Sequence, residues 1–493
     1  MRSGNGKRLF ENPEESIIAL PKLPPEPEPL DDWYASDEVT ERLFQFNAFL
    51  DRNWRDRVSS LQGFVDQDNN TFVDSANEDN LMTIASTSTA DGSLERIPLT
   101  TTFENGLGYG ESSMTLTVAA AMGRYGNVKV RGIQHEAAAA LSESLIGPNG
   151  PGAGWAKRVV YSECKNRALE KSVSMGTSLF RKRRGLRKSD NQKFFCVGYS
   201  KKGTTPDDSI LGHPPMVAYQ SGKLQVSSSV GSIQVSMDDT LEERRLFSEL
   251  HGKYLELIKD AWNEYEQSGR LIGCVLTRAL HTDSDYDDGG KLVDPLWQRV
   301  LIDFARTKDV PIILDQSNLS GVYWLDARSH LRLLNGEPDV SSYGDFLYGG
   351  IASLGTTLIT EEVYNACVDE GFFDGSNYRS ISQDLCSVNP LAYSSALHTL
   401  ESCPSSGVSF CDDNLMRKMS RLSSVHYCFS FGNKIVVRFN ADDAVVLSAV
   451  EKLRSEGILV MARGKSIHTI SNERKSKDLV AEMLYKVLSE FES

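Results

Sequence analysis

Between about residues 155 and 400, strand-like apolar runs alternate with helix-like segments, and one run constrains the fold more than the others. Val310-Pro311-Ile312-Ile313-Leu314 is continuously apolar and stops at Asp315-Gln316. A short, uniformly apolar run reads as a strand covered on both faces, as in a parallel sheet wrapped by helices. A carboxylate at its end falls on the C-terminal edge of that sheet, where open α/β folds keep their ligands.

The alternation around this run is steady. Strands are expected at 154–162, 191–199 and 271–277, and helices at about 166–180, 239–267 and 295–307. The last of these opens on Asp294-Pro295, a capping residue followed by proline in the first turn. Further helices are expected at 112–125, 136–145 and about 389–401, whereas 206–237 reads as loop. The expected fold class is α/β, a large domain with a mainly parallel sheet wrapped by helices. Beyond residue 402 the pattern changes. Apolar runs at 427–431 and 435–439 flank Gly432-Asn433, a hairpin signal. A helix at 442–455, strands at 458–461 and 466–470, and a last helix at 476–491 complete a small α+β domain. The domain reading is then a Pro/Glu-rich arm at 1–35, a helix (37–60) and strand segment within 36–110, the large domain at 111–402 and the small one at 403–493.

Charge and composition exclude several function classes. A net charge of -14, from 53 basic and 67 acidic residues, opposes general nucleic-acid binding, which needs surplus cations. No stretch reaches the roughly 18 apolar residues of a membrane span. The eight cysteines are scattered without a CxxC pair, so reduced thiols are expected. The eight histidines offer no pair at metal spacing, and His135 beside Glu136 reads as a helix-surface residue. Asp283, Asp285 and Asp287 alternate like the first ligands of a calcium loop, but Asp288 stands where the turn glycine belongs and Asp294 where the closing glutamate belongs. No metal site is expected. Residues 106–110 are glycine-rich but lack a Walker lysine. The basic run at 181–188 reads as a nuclear signal, an anion-docking patch, or a helix end whose cations suit the dipole.

Several stretches carry a specific likeness: 124–126 (RYG), 154–159 (GWAKRV), 293–301 (VDPLWQRVL), 311–315 (PIILD), 338–339 (PD), 349–350 (GG) and 389–392 (NPLA). On these the chain resembles the class III (fold-type I) pyridoxal-phosphate aminotransferases. Within them it is most similar to the 7,8-diaminopelargonate aminotransferases of biotin synthesis, including the form fused behind dethiobiotin synthetase. The resemblance implies pyridoxal phosphate as the ancestral cofactor. It also implies a strand-end aspartate against the pyridine nitrogen, matched by Asp315, and an imine-forming lysine, at whose position this chain has Asp345. A carboxylate cannot form a Schiff base.

The other matched positions depart as well. The small residues of the phosphate turn are replaced by Lys165-Asn166-Arg167, and the aromatic of the ring-stacking motif by Lys201, within Lys201-Lys202-Gly203. The acidic residue before a proline is replaced by Arg278-Ala279, and the glutamate after the strand-end aspartate by Gln316. The phosphate-binding threonine lent by a second subunit aligns near Leu385, and the substrate-carboxylate arginine near Met461, with Arg463 two positions on. These departures imply a pseudoenzyme with no catalytic residue and no retained cofactor. Asp315, Lys165, Asn166, Arg167, Lys201 and Leu385 would be vestiges, with Lys165, Lys201, Lys202 and Arg278 converging on Asp315 and Asp345. The rival expectations are a working aminotransferase with a relocated lysine and a regulatory protein holding another anion in the old cleft. The resemblance further implies a homodimer, or a heterodimer with an active homologue, as part of a larger assembly. The fused eukaryotic relatives point to the mitochondrion, with the cytoplasm as the alternative.

Overall fold

The computed structural model describes residues 71–77, 80–85, 95–97, 99–100, 112–125, 136–187, 194–197, 216–228, 231–234, 240–269, 271–278, 280–281, 291–316, 337–344, 352–372, 388–402, 413–431, 434–440, 443–470 and 477–491. The chain divides into two compact units, and all of these but Thr71, Phe72 and Ala85 belong to the second, 73–84 with 92–493. The expected arm and the 37–60 helix lie outside the described residues.

The apolar run that ends at Asp315-Gln316 is strand Ile312–Gln316, buried along its whole length. It lies inside a six-stranded sheet whose order is 158–162, 355–359, 340–343, 312–316, 271–277, 194–197. Its pairings with strands Leu271–Thr277 and Val340–Tyr343 are parallel, as is that of 271–277 with Phe194–Val197. Strand Gly355–Ile359 runs antiparallel to both of its neighbours. The sheet is therefore mixed, with one strand reversed.

Side chains alternate between two helical layers, as the period of a strand requires. Ile313 packs with Met175 and Leu179 of helix Lys165–Arg184 and Val363 of helix Glu361–Asp369. Ile312 and Leu314 point the other way, into a larger core with Trp262, Trp297 and Leu301. Helix 165–184 comes close to the sheet at Gly176, where an added Cβ would lie 3.0 Å from Ile313 Cδ1. Helix Pro295–Thr307 begins where Asp294-Pro295 signals it. The Asp294 carboxylate caps Leu296 N at 2.9 Å and accepts the Tyr254 hydroxyl at 2.8 Å. Tyr254 in turn meets Trp297 edge to face at 5.3 Å.

The basic run has internal partners. Arg181 pairs with Glu370, Lys182 with Asp369, Arg183 with Asp339 and Glu362, and Arg184 donates to the Lys308 carbonyl. These bonds tie the end of helix 165–184 to its neighbours.

The expected loop at 206–237 contains three strands, Met216–Gln220, Lys223–Ser228 and Gly231–Gln234. Ser221 (φ 50°) and Gly222 (φ 80°) join the first two, the paired positive φ values of the tight turn that suits strand twist. This hairpin enters a nine-stranded sheet with the C-terminal strands Val425–Phe431, Lys434–Phe439, Ser466–Ile470 and Met461–Arg463. Cys428 pairs with Tyr219 across the junction. That sheet draws strands from both sides of residue 402.

Candidate functional site

The C-terminal edge of the six-stranded sheet gathers the polar residues that the sequence singled out. Thr277 and Leu314 are register partners, so Arg278, one residue on, comes beside Asp315. The Arg278 Nε donates to Asp315 Oδ2 at 2.6 Å. Ser342, the register partner of Asp315 on the next strand, donates its hydroxyl to Oδ1 at 3.2 Å. The Asp315 side chain is 1% exposed and that of Arg278 17%. Both carboxylate oxygens are thus engaged from within the chain.

Gln316 follows on the opposite face, the one shared by Ile312 and Leu314. It is 3% exposed, and neither its amide oxygen nor its amide nitrogen has a hydrogen-bond partner. At the far strand, Ser162 is buried with an unpaired hydroxyl. Three residues later helix Lys165–Arg184 begins, and its N-cap Cys164 makes no side-chain capping bond. A Cβ at Gly355 would collide with the Cys164 carbonyl oxygen, so strand 355–359 presses directly on that turn. Lys165 is half-buried, and Asn166 and Arg167 are exposed. Arg167 pairs along the helix with Glu170 at 2.7 Å. Farther in, the buried Lys171 donates its Nζ to the Tyr161 carbonyl at 3.2 Å.

No family model matches the chain. It is 28% identical over 359 residues to a bifunctional dethiobiotin synthetase/adenosylmethionine-8-amino-7-oxononanoate aminotransferase of Emericella nidulans, covering 60% of this chain and 44% of that protein. It is 21% identical over 427 residues to the mitochondrial bifunctional dethiobiotin synthetase/7,8-diamino-pelargonic acid aminotransferase of Arabidopsis thaliana, covering 75% and 50%. The chain spans about half the length of the curated relatives it matches. Among solved structures, an amine transaminase from an uncultivated Pseudomonas species, in its pyridoxal-phosphate-bound form, superposes with a TM-score of 0.62. It is 15% identical and covers 87% of this chain and 96% of that one. The ornithine δ-aminotransferase of Plasmodium falciparum superposes with a TM-score of 0.60 at 11% identity, over 90% and 98%. This chain has the fold-type I aminotransferase fold.

In an aminotransferase of this fold the strand-end aspartate would face the cofactor's pyridine nitrogen. Here the equivalent acceptor, Asp315, already holds a guanidinium and a hydroxyl. A buried carboxylate already balanced by a partly buried cation has less to gain from a second. The turn that the resemblance matches to the phosphate cradle carries three long polar side chains, Lys165, Asn166 and Arg167, and the residue it matches to the imine-forming lysine is Asp345. The partners of Asp315 and the side chains of the 165–167 turn differ from those that the resemblance calls for around pyridoxal phosphate.

Of the expected convergence, the structure brings together Arg278 and Asp315. Asp345, Lys201, Lys202, Gly203, Ala279 and Leu385 lie outside the described residues. Met461 and Arg463 sit on strand Met461–Arg463, paired with Ser466–Ile470. Sequence reasoning missed Ser342 and the unpaired amide of Gln316. A serine in the short strand Val340–Tyr343 carries no local signal of its partner, and an unmet hydrogen bond is visible only in three dimensions. Among the described residues no group of three or more His, Cys, Asp or Glu side chains is gathered as a metal would require, and no helix is long and apolar enough to cross a membrane.

Proposed function

We propose that this chain is an aminotransferase-fold protein without transaminase activity that serves as a structural or accessory subunit. The observation that carries the reading is the Asp315 carboxylate, closed off by Arg278 and Ser342, in a chain whose imine position is Asp345. Loss of one catalytic group can alter chemistry. Loss of the amine, the cofactor's acceptor and the small phosphate turn together removes the means of holding and using the cofactor. Self-association, or pairing with an active homologue in a larger assembly, is part of the proposal and rests on the shared fold. So is a mitochondrial location, which rests on the names of the plant relatives.

The names of the relatives also favour a second reading, a working aminotransferase of biotin synthesis with a relocated lysine. Lys171 is where that amine would first be sought, because it is buried on helix 165–184 close to the sheet. Mixing the full chain with pyridoxal phosphate, recording the visible spectrum and then reducing with borohydride separates the two. The proposal expects no imine absorbance and no phosphopyridoxyl-lysine peptide. A stoichiometric modified lysine would replace it with the second reading.

A further inference from the structure

We infer that the outward face of helix Ser112–Tyr125 is a docking surface for a second copy of this chain, across a twofold axis passing between Ala119 and Ala120. The inference rests on the self-association part of the proposed function and deepens it by naming the face. Residues 112–123, SSMTLTVAAAMG, hold no charged side chain, in a chain of which 24% is charged. A helix without charge belongs inside a protein, yet one side of this one faces solvent. On the inner side Met114 and Ala121 are buried, and Ser113 and Thr117 meet His398 of helix Pro390–Ser402 at 2.9 and 3.4 Å. On the outer side Leu116 is 46% exposed and Met122 60%, and Ala119, Ala120 and Gly123 are exposed with them. Leu116, Ala119, Ala120 and Gly123 recur at i, i+3, i+4 and i+7, so they form one line along the helix. A contiguous apolar surface of this kind marks an interaction site.

Charge and shape point to a second copy as the occupant. Two chains that each carry a net charge of -14 repel, and an uncharged face lets them approach at the least electrostatic cost. Arg124, which follows this face, is paired within its own protomer to Glu136 at 2.7 Å, so it sets no bare charge against its twin across the axis. A twofold interface must be self-complementary. Antiparallel pairing about the midpoint of 119 and 120 sets Leu116 of each copy against Gly123 of the other, and Ala119 against Ala120. The largest side chain of the line then meets the residue that has none. A Cβ added at Gly123 has nothing within 4 Å, so the space for the leucine is open, and the alanines at the axis let the two backbones come close. The face is about 18 Å long and about 10 Å wide. That is roughly a quarter of the ~800 Å² that a stable dimer buries on each partner, so it forms the apolar centre of a larger contact.

The experiment measures the mass of the full chain in solution, by sedimentation equilibrium across a concentration series. The unmodified chain is expected to reach the mass of two chains. Leu116→Glu and Met122→Glu, at exposed positions, are each expected to weaken the dimer by about tenfold or more with unchanged circular dichroism, because each sets like charges close together across the axis. Leu257→Glu, at a leucine 38% exposed on helix Thr240–Gln267, is expected to leave the dimer intact. Gly123→Leu is expected to weaken it by filling the recess. Leu116→Ala/Gly123→Leu, which exchanges the large and small positions, is expected to recover most of that loss. A dimer that survives Leu116→Glu and Met122→Glu overturns the inference and leaves self-association through another face standing. Failure of the exchanged pair to recover association also overturns it. A chain that stays single at every concentration overturns it together with the homodimer in the proposed function. None of these results touches the non-catalytic reading, which falls to an imine formed with pyridoxal phosphate.

Discussion

A carboxylate sealed from water is stable only in company, and at the scale of single residues Asp315 shows what that company is. Arg278 and Ser342 satisfy it, and each partner alone would be a liability. Removing one member of a buried pair strands the other and costs about 3–5 kcal/mol, whereas replacing both with apolar groups of similar volume is often neutral. Arg278→Met and Asp315→Leu are therefore each expected to lower the urea midpoint strongly, and Arg278→Met/Asp315→Leu to recover most of the loss. Additive losses in the double variant would show that the pair is not energetically coupled. The sequence made Asp315 legible because a charged residue at the end of an apolar run is conspicuous. Arg278 was legible only against a family pattern. Ser342 was not legible, because its role depends on a register that pairs residues 27 apart in the chain.

At the scale of elements, legibility followed the strength of local signals. Helix Pro295–Thr307 and strand Leu271–Thr277 fall where capping and apolarity place them. Strand Gly355–Ile359 did not stand out, because its buried Thr356 and Thr357 interrupt the apolar pattern. Thr357 is tolerated there because its hydroxyl donates to the Ala168 carbonyl at 3.2 Å. The hairpin at 216–228 was readable in principle, from an apolar run and an alternating run around Ser221-Gly222, but its neighbouring glycines and serines masked it. The helix cap gives a pH-dependent expectation. Burial raises the pKa of Asp294, opposed by its bonds from Leu296 N and the Tyr254 hydroxyl. A group whose folded pKa exceeds its unfolded value stabilises in its protonated form, so that contribution is present below about pH 4 and is lost as pH rises through the folded pKa. Asp294→Asn keeps a capping oxygen and has no charge to bury, whereas Asp294→Ala loses the cap at about 1–2 kcal/mol. The stability of the unmodified chain relative to Asp294→Asn is expected to decline from about pH 4 toward neutrality. Urea midpoints for both chains across that range test this, and a difference that grows with pH would contradict it.

For the molecule as a whole, the question is whether the C-terminal strands form a separable domain, as the change of pattern near residue 402 implies. The hairpin at 216–228 joins them instead. Tyr219 is buried among Leu415, Met416, Met419 and Val425, its ring lies 5.8 Å from the Arg417 guanidinium carbon, and its backbone pairs with Cys428. At the turn, Gly222 N donates to Ser420 Oγ at 3.0 Å, and a Cβ there would run into the Arg421 side chain. The sequence hid this junction because contacts between residues some 200 apart leave no local trace, whereas the composition change at 402 is plain. If the hairpin is part of the C-terminal core, truncating its anchor should loosen strands far from it in sequence. Tyr219→Ala is expected to destabilise the chain by about 3–5 kcal/mol, as for other large aromatic deletions from cores. Gly222→Ala is expected to cost about 1–2 kcal/mol from its positive φ alone. Hydrogen exchange is the discriminating measurement. In Tyr219→Ala, amides of strands Val425–Phe431 and Lys434–Phe439 should exchange faster, while those of strand Ile312–Gln316 change least. Unchanged protection in the C-terminal strands would restore the boundary at residue 402 and make the hairpin a passive neighbour.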